Sequence, residues 1–121
     1  PAPELEMELL DEGYLEGAER GYFQELLRRV IDRCGELDGH LEPALGKRRL
    51  SEVTAIERAI LRLGAAELAF RPDVPRGVVI NEAIELAKAF GTTEGYRFVN
   101  GVLDRIAPDL RPAEPARGHD G

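Results

Sequence analysis

"AILRLGAAELAFRPDVPRGVVINEAIELAKAFGTTEGYRFVNGVLDRIAP", residues 59–108, decides how this chain is read. Ile60, Leu61, Leu63, Ala65 and Leu68 recur at three- and four-residue intervals toward Phe70, the spacing that lines one face of a helix. "RPDVPRG" then interrupts. Pro72 and Pro75 lack the amide that a helix interior needs, and Pro75 suits a position at or before a new helix start. Ile80, Ala83, Ile84 and Ala87 form the next stripe, over residues 79–90, and Gly91 stands where glycine favours a helix end. Thr92 or Thr93 is a suitable cap for a last helix. Its face is Val99, Val102, Leu103 and Ile106, and Pro108 predicts its stop after Ala107.

Working upstream, Thr54 followed by Glu57 fits a capping box, in which two side chains satisfy orphan amides reciprocally. "KRRLSEV", residues 47–53, is a basic, polar connection. Residues 37–45 form a short amphipathic helix closed by Gly46. Residues 19–34 form a stronger one, with Tyr22, Phe23, Leu26, Leu27, Val30 and Ile31 on its stripe and Gly35 at its end. Residues 4–10 predict one more short helix, ended by Gly13. The tail from residue 111 is rich in proline, glycine and charge, a composition that predicts disorder. No stretch sustains the two-residue alternation of a half-buried strand. The class is all-α, one helical domain over residues 1–110 with sub-bundles at 1–50 and 51–110.

The 121 residues suffice for one core, not two independent ones. A hydrophobic fraction of 43% and a charged fraction of 32% suit a water-soluble chain. No run has the length of a membrane span, and the acidic start "PAPELEMELLDE" lacks the basic and apolar regions of a signal peptide. A single cysteine excludes an internal disulfide framework. Together these predict a cytoplasmic protein. The net charge of −7 argues against a generic nucleic-acid coat, yet the charge is lopsided. Residues 1–46 carry 12 acids and 4 bases, net −8, while residues 47–121 carry 11 acids and 12 bases, net +1. An anionic partner is therefore expected on the second part. Arginines number 14 against 2 lysines, which suits planar, bidentate contacts.

Enzyme chemistry finds little support. Cys34 ends an amphipathic helix beside Arg33, but the only histidines, His40 and His119, make no constellation with it, so it reads as structural. There is no C-x-x-C, no H-E-x-x-H, no P-loop and no G-x-G-x-x-G. Glu82 and Glu85 stand near each other on a helix, yet no pocket residues accompany them in sequence, and a solvated face is the simpler reading. No cofactor and no metal are expected.

"ILRLGAAEL", "DVP", "VINEAIELAKAFG" and "FVNGVLDRIA" resemble, in order and spacing, the C-terminal half of the NusB family of bacterial transcription antitermination proteins. Upstream, "ERGYFQELLRRVIDRCGELDGHLEPAL", residues 19–45, resembles its middle helices more loosely, and the resemblance covers roughly residues 14–112. The resemblance implies two small helical bundles packed against each other. It also implies non-catalytic binding of boxA RNA from ribosomal RNA operon transcripts, together with the small-subunit ribosomal protein NusE. Through these the protein would act on RNA polymerase with other Nus factors. On this resemblance Glu94 and Phe98 lie at the RNA-facing surface, with Arg97 reaching phosphate or a base edge and Tyr96 beside them. Phe98 is suited to stacking on an unpaired base. The alternative for Phe98 is a seal between the last two helices, and for Tyr96 packing on the capping turn. The resemblance places Glu57 at the NusE contact, with Arg58 and Arg62 following on a face that is otherwise a solvated basic one. Asn81, Glu82, Asn100 and Gly101 read as structural. Asn81 and Glu82 would brace the start of their helix, Asn100 would bond to a neighbouring backbone group or across to that helix, and Gly101 would let another helix approach closely.

The family's arginine-rich first helix has no counterpart in "PAPELEMELLDE". The first bundle is thus expected to lack a wall. The stripe of Tyr22, Phe23, Leu26 and Val30 is expected to be partly exposed, inviting a homodimer, and RNA affinity to be weakened. Two other functions fit the same residues: the RNA-binding domain of a ribosomal RNA cytosine methyltransferase, and a helical protein-interaction module without RNA binding.

Overall fold

The computed structural model describes residues 18–90 and 94–114, and among these every regular element is helical. In chain order they are α1 (Ala18–Asp32), α2 (Cys34–Ala44), a 3-10 turn (Leu50–Glu52), α3 (Ala55–Phe70), α4 (Arg76–Ala89) and α5 (Gly95–Leu110). The expected helix at residues 4–10 and the caps at Thr92 and Thr93 lie outside the described residues.

α3 is the central element, packed against α1, α2, α4 and α5. It begins where Thr54 Oγ1 accepts the Glu57 amide at 3.2 Å, the hydroxyl half of the capping box. It ends at Arg71, whose backbone leaves the helical region just before Pro72, as expected for a residue preceding proline. Leu37, Leu41, Ile60, Leu61, Leu68, Ile80, Leu103 and Ile106, drawn from α2 to α5, are the large side chains that water does not reach. Each such burial stabilises by about 1.5–3 kcal/mol.

Several boundaries differ from the sequence expectation. Gly35 does not end α1. The break falls at Arg33, and α2 starts at once, with Gly35 inside its first turn. α4 starts at Arg76 rather than residue 79, directly after Pro75. α5 passes through Pro108 to Leu110, because a proline in the last turn forfeits only one bond and Arg111 N still reaches Ala107 O at 2.7 Å. The expected exposure of the α1 stripe is also corrected. Phe23, Leu26 and Val30 are buried, Tyr22 is half-buried, and it is Ile31 that faces out.

The close approach expected at Gly101 belongs instead to Gly64. A Cβ at Gly64 would lie 2.9 Å from Leu103 Cδ1, so α3 and α5 touch through a missing side chain. A Cβ at Gly101 would meet only the Arg105 guanidinium, at an ordinary 3.6 Å.

The tail expected to be disordered begins as a structural plug. Arg111 is buried and donates to four main-chain oxygens: Leu68 at 2.8 Å, Glu67 at 3.2 Å, Arg71 at 2.8 Å and Val74 at 2.8 Å. Leu68 O is among the carbonyls that the C-terminus of α3 leaves without a helical partner, whereas Glu67 O also accepts the Arg71 amide. Glu114, paired with Arg111 at 2.6 Å, accepts the Arg76 amide at 2.8 Å. α4 has no side-chain cap of its own, so Glu114 supplies one from across the fold. The amide's hydrogen bond, helped by Arg111, holds the Glu114 carboxyl below its ordinary range. Residues 115–121 lie outside the described part.

Candidate nucleic-acid interface

Phe98 sits on α5 with its ring half-buried against the core, and the Arg48 guanidinium lies over that ring, 4.3 Å from its centroid. Arg48 comes from the connection after α2, fifty residues earlier in sequence. This basic connection is fixed at both ends. Arg105 Nη1 donates to Ala44 O at 2.7 Å, tying α5 to the end of α2. Gly46 then takes φ +73°, a left-handed turn that favours glycine. At the far end Leu50 N donates to Glu42 Oε2 at 3.2 Å, and Arg58 Nη1 donates to Val53 O at 3.0 Å and Leu50 O at 3.3 Å. Between these anchors Lys47, Arg48 and Arg49 are all exposed. Sequence reasoning registered the basic connection but gave it no role. Its one signal was the charge imbalance between the two parts of the chain.

The other residues expected at this surface divide. Glu94 and Arg97 are 81% and 71% exposed and approach each other at 3.8 Å, a loose pair in water. Tyr96 stands two residues before Phe98, about 200° away around the helix. It faces α4, where Lys88 Nζ lies 4.8 Å from its ring, and Arg97 Nε donates to its hydroxyl at 3.4 Å. The structure therefore groups Phe98 with Arg48 and leaves Tyr96 with Lys88 and Arg97.

The expected partner-binding residues are engaged within the chain. Glu57 is buried in the first turn of α3. Arg58 caps the 3-10 turn, as above. Arg62 makes a bidentate pair with Asp38 of α2, at 2.9 and 2.8 Å. The same Asp38 receives the Cys34 thiol at 3.8 Å. Asn81 and Glu82 stand in the second turn of α4, because the helix starts earlier than expected, and both are exposed. Asn100 is half-buried.

A cleft of about 460 Å³ opens between α1, α3 and α4, with Phe23, Leu26, Leu63, Val79 and Leu86 among its apolar walls. On its floor Tyr22 donates to Glu67 Oε2 at 2.6 Å, and Arg71 lies 4.7 Å over the Tyr22 ring. Burial pushes both the Glu67 carboxyl and the Tyr22 phenol above their ordinary ranges. Asn81, Glu82 and Glu85 line the α4 side. Among the described residues no cluster of His, Cys, Asp and Glu has the arrangement to hold a metal, and no helix is long and apolar enough to cross a membrane.

Residues 3–108 match the NusB family. The chain belongs to the NusB family. Among relatives in that family, the transcription antitermination protein NusB of Nitrosococcus oceani is 54% identical over 83% of this chain and 67% of its own length. That of Proteus mirabilis is 50% identical over 89% and 78%, and that of Pseudoalteromonas atlantica 47% over 94% and 81%. The solved structure of T. maritima NusB superposes with a TM-score of 0.74 at 28% identity, covering 93% of this chain and 94% of that one. The NusB family is one of antitermination factors rather than enzymes.

Proposed function

We propose that this chain is a cytoplasmic, non-catalytic adaptor of transcription antitermination that binds boxA RNA of ribosomal RNA transcripts together with NusE. The observation that carries this reading is the Phe98 ring. It packs against the core and is half-buried, with the exposed Arg48 guanidinium over its face. A single-stranded base finds there a rigid stacking platform, the arrangement by which sequence-tolerant contacts to unpaired RNA are made. Arg97, exposed one position earlier, supplies a phosphate or base-edge donor. Glu94, four positions before Phe98, restrains affinity by repulsion or accepts from a base amino group. Tyr96 serves less directly, by holding Arg97 in place.

The NusE-facing surface on this reading is the start of α3, with Glu57, Arg58 and Arg62. Its geometry is set by bonds to Val53 and Asp38, so the arginines present a fixed face. Through NusE and the RNA the chain would reach RNA polymerase and the other Nus factors.

Fluorescence anisotropy of a labelled boxA RNA tests the proposal, with a scrambled RNA as control and with NusE present or absent. Specific binding that NusE strengthens and Phe98→Ala weakens, by the ~1–3 kcal/mol of one stacked base, is the expected result. Equal affinity for boxA and scrambled RNA, unchanged in Phe98→Ala, would refute it.

A further inference from the structure

The side chain over Phe98 belongs to the basic connection between α2 and α3. Lys47, Arg48 and Arg49 are three consecutive exposed cations in the first positions of the chain's less acidic part. Arg48 makes no ion pair with any described acid. Its side-chain contact is the ring, at 4.3 Å. Three other arginines of the chain pair with acids instead: Arg62 with Asp38, Arg71 with Asp73 and Arg33 with Glu36. The connection carrying Arg48 is nonetheless held firmly through Ala44, Leu50 and Val53. A fixed backbone bearing unneutralised, solvent-facing cations beside a stacking ring is a place where a polyanion with planar groups gains both kinds of contact.

We infer that the 47–49 connection is the second half of the RNA site. A base stacks on Phe98 in place of the Arg48 guanidinium, and the displaced Arg48, with Lys47, takes the neighbouring phosphates of the same strand. The inference rests on the RNA-binding reading and adds to it a wall from the other end of the domain. Arg48 holds the ring covered in the free protein. A guanidinium over an aromatic face at an exposed site is weakly held, so the incoming base displaces it readily. Arg48 then recovers a stronger, charge-assisted contact with phosphate. The site thus lies at the junction of α2 and α5, not on α5 alone.

The experiment is the salt dependence of boxA binding in the presence of NusE, for the unaltered chain, Arg48→Ala, Arg48→Lys, Lys47→Ala and Phe98→Ala. Each phosphate contact to a single strand contributes about 0.7 to the slope of log affinity against log salt. Arg48→Ala and Lys47→Ala are each expected to lower that slope by about this amount, and Arg48→Lys to restore it. Phe98→Ala is expected to weaken binding about tenfold at every salt concentration with the slope unchanged. Thermal melting checks that each variant keeps its fold, since Arg48 anchors no backbone group. Slopes in Arg48→Ala and Lys47→Ala equal to that of the unaltered chain, with Phe98→Ala still weakened, would overturn this inference alone. Tighter binding by Arg48→Ala would also overturn it, by showing that Arg48 only obstructs the ring. Absence of specific RNA binding by the unaltered chain would overturn the reading beneath it and this inference together.

Discussion

Gly64 and Gly101 both interrupt good helical patterns, and only one has a steric reason. Leu103 lies so near Gly64 that a methyl group there must push it aside within a closed core. Gly64→Ala is expected to destabilise by about 1–3 kcal/mol, the usual cost of overpacking. Gly101→Ala meets nothing closer than a flexible guanidinium and should stabilise by about 0.5–1 kcal/mol, through helix propensity and a less disordered unfolded chain. Urea denaturation of the two variants reads both signs, and the opposite ordering would refute this assignment. The run Gly64-Ala65-Ala66 was the available signal: consecutive small residues inside a helix mark a close crossing. Gly101 drew notice through its company in "FVNG", whose specificity is that of a family signature rather than of packing. Phe98 was legible because an aromatic beside Arg97 at the edge of an apolar stripe demands a reason. Arg48 was not, since nothing local to "GKRR" announces a ring fifty residues away.

Helix ends were the weakest part of the sequence reading, and the structure explains why. Apolar spacing identified all five described helices, whereas their boundaries depend on groups brought from elsewhere. Thr54 is the local case: its hydroxyl serves an amide three residues on, and Thr54→Ala should cost about 1 kcal/mol. The ends of α3 and α4 are non-local cases. Arg111 closes the carbonyl end of one and Glu114 the amide end of the other. In sequence they stand among prolines and charges, a composition that reads as a loose tail. Arg111→Met would take the donor from Leu68 O and Val74 O, while Glu67 O and Arg71 O keep the amides of Arg71 and Val74, at about 1–3 kcal/mol for each carbonyl that water cannot reach. Glu114→Ala should cost about 1 kcal/mol, as for loss of an ordinary cap. Differential scanning calorimetry is expected to rank Arg111→Met well below Glu114→Ala. Equal melting temperatures for Arg111→Met and the unaltered chain would show that the plug is dispensable.

At the scale of the molecule, the Tyr22–Glu67 pair joins α1 to α3 at the floor of the cleft, and its carboxyl titrates against the fold. Because burial raises the Glu67 carboxyl in the folded state, the folded chain holds that proton more tightly than the unfolded one. The stability this contributes is full below the ordinary carboxylate range and is lost as pH rises through the raised value. Glu67→Gln keeps an acceptor for the Tyr22 hydroxyl and removes the titration. The variant should melt above the unaltered chain at neutral pH, with the difference shrinking as pH falls toward about 4. A difference independent of pH would refute this account. The same long-range logic applies to the residues that follow α5. The family match stops at residue 108, the point where the helical pattern meets Pro108 and where a shortened version would naturally be cut. Such a cut discards Arg111 and Glu114, and with them the closure of α3 and the cap of α4. The recognisable signature and the set of residues that close α3 and α4 are therefore different lengths of chain, and the second runs to Glu114.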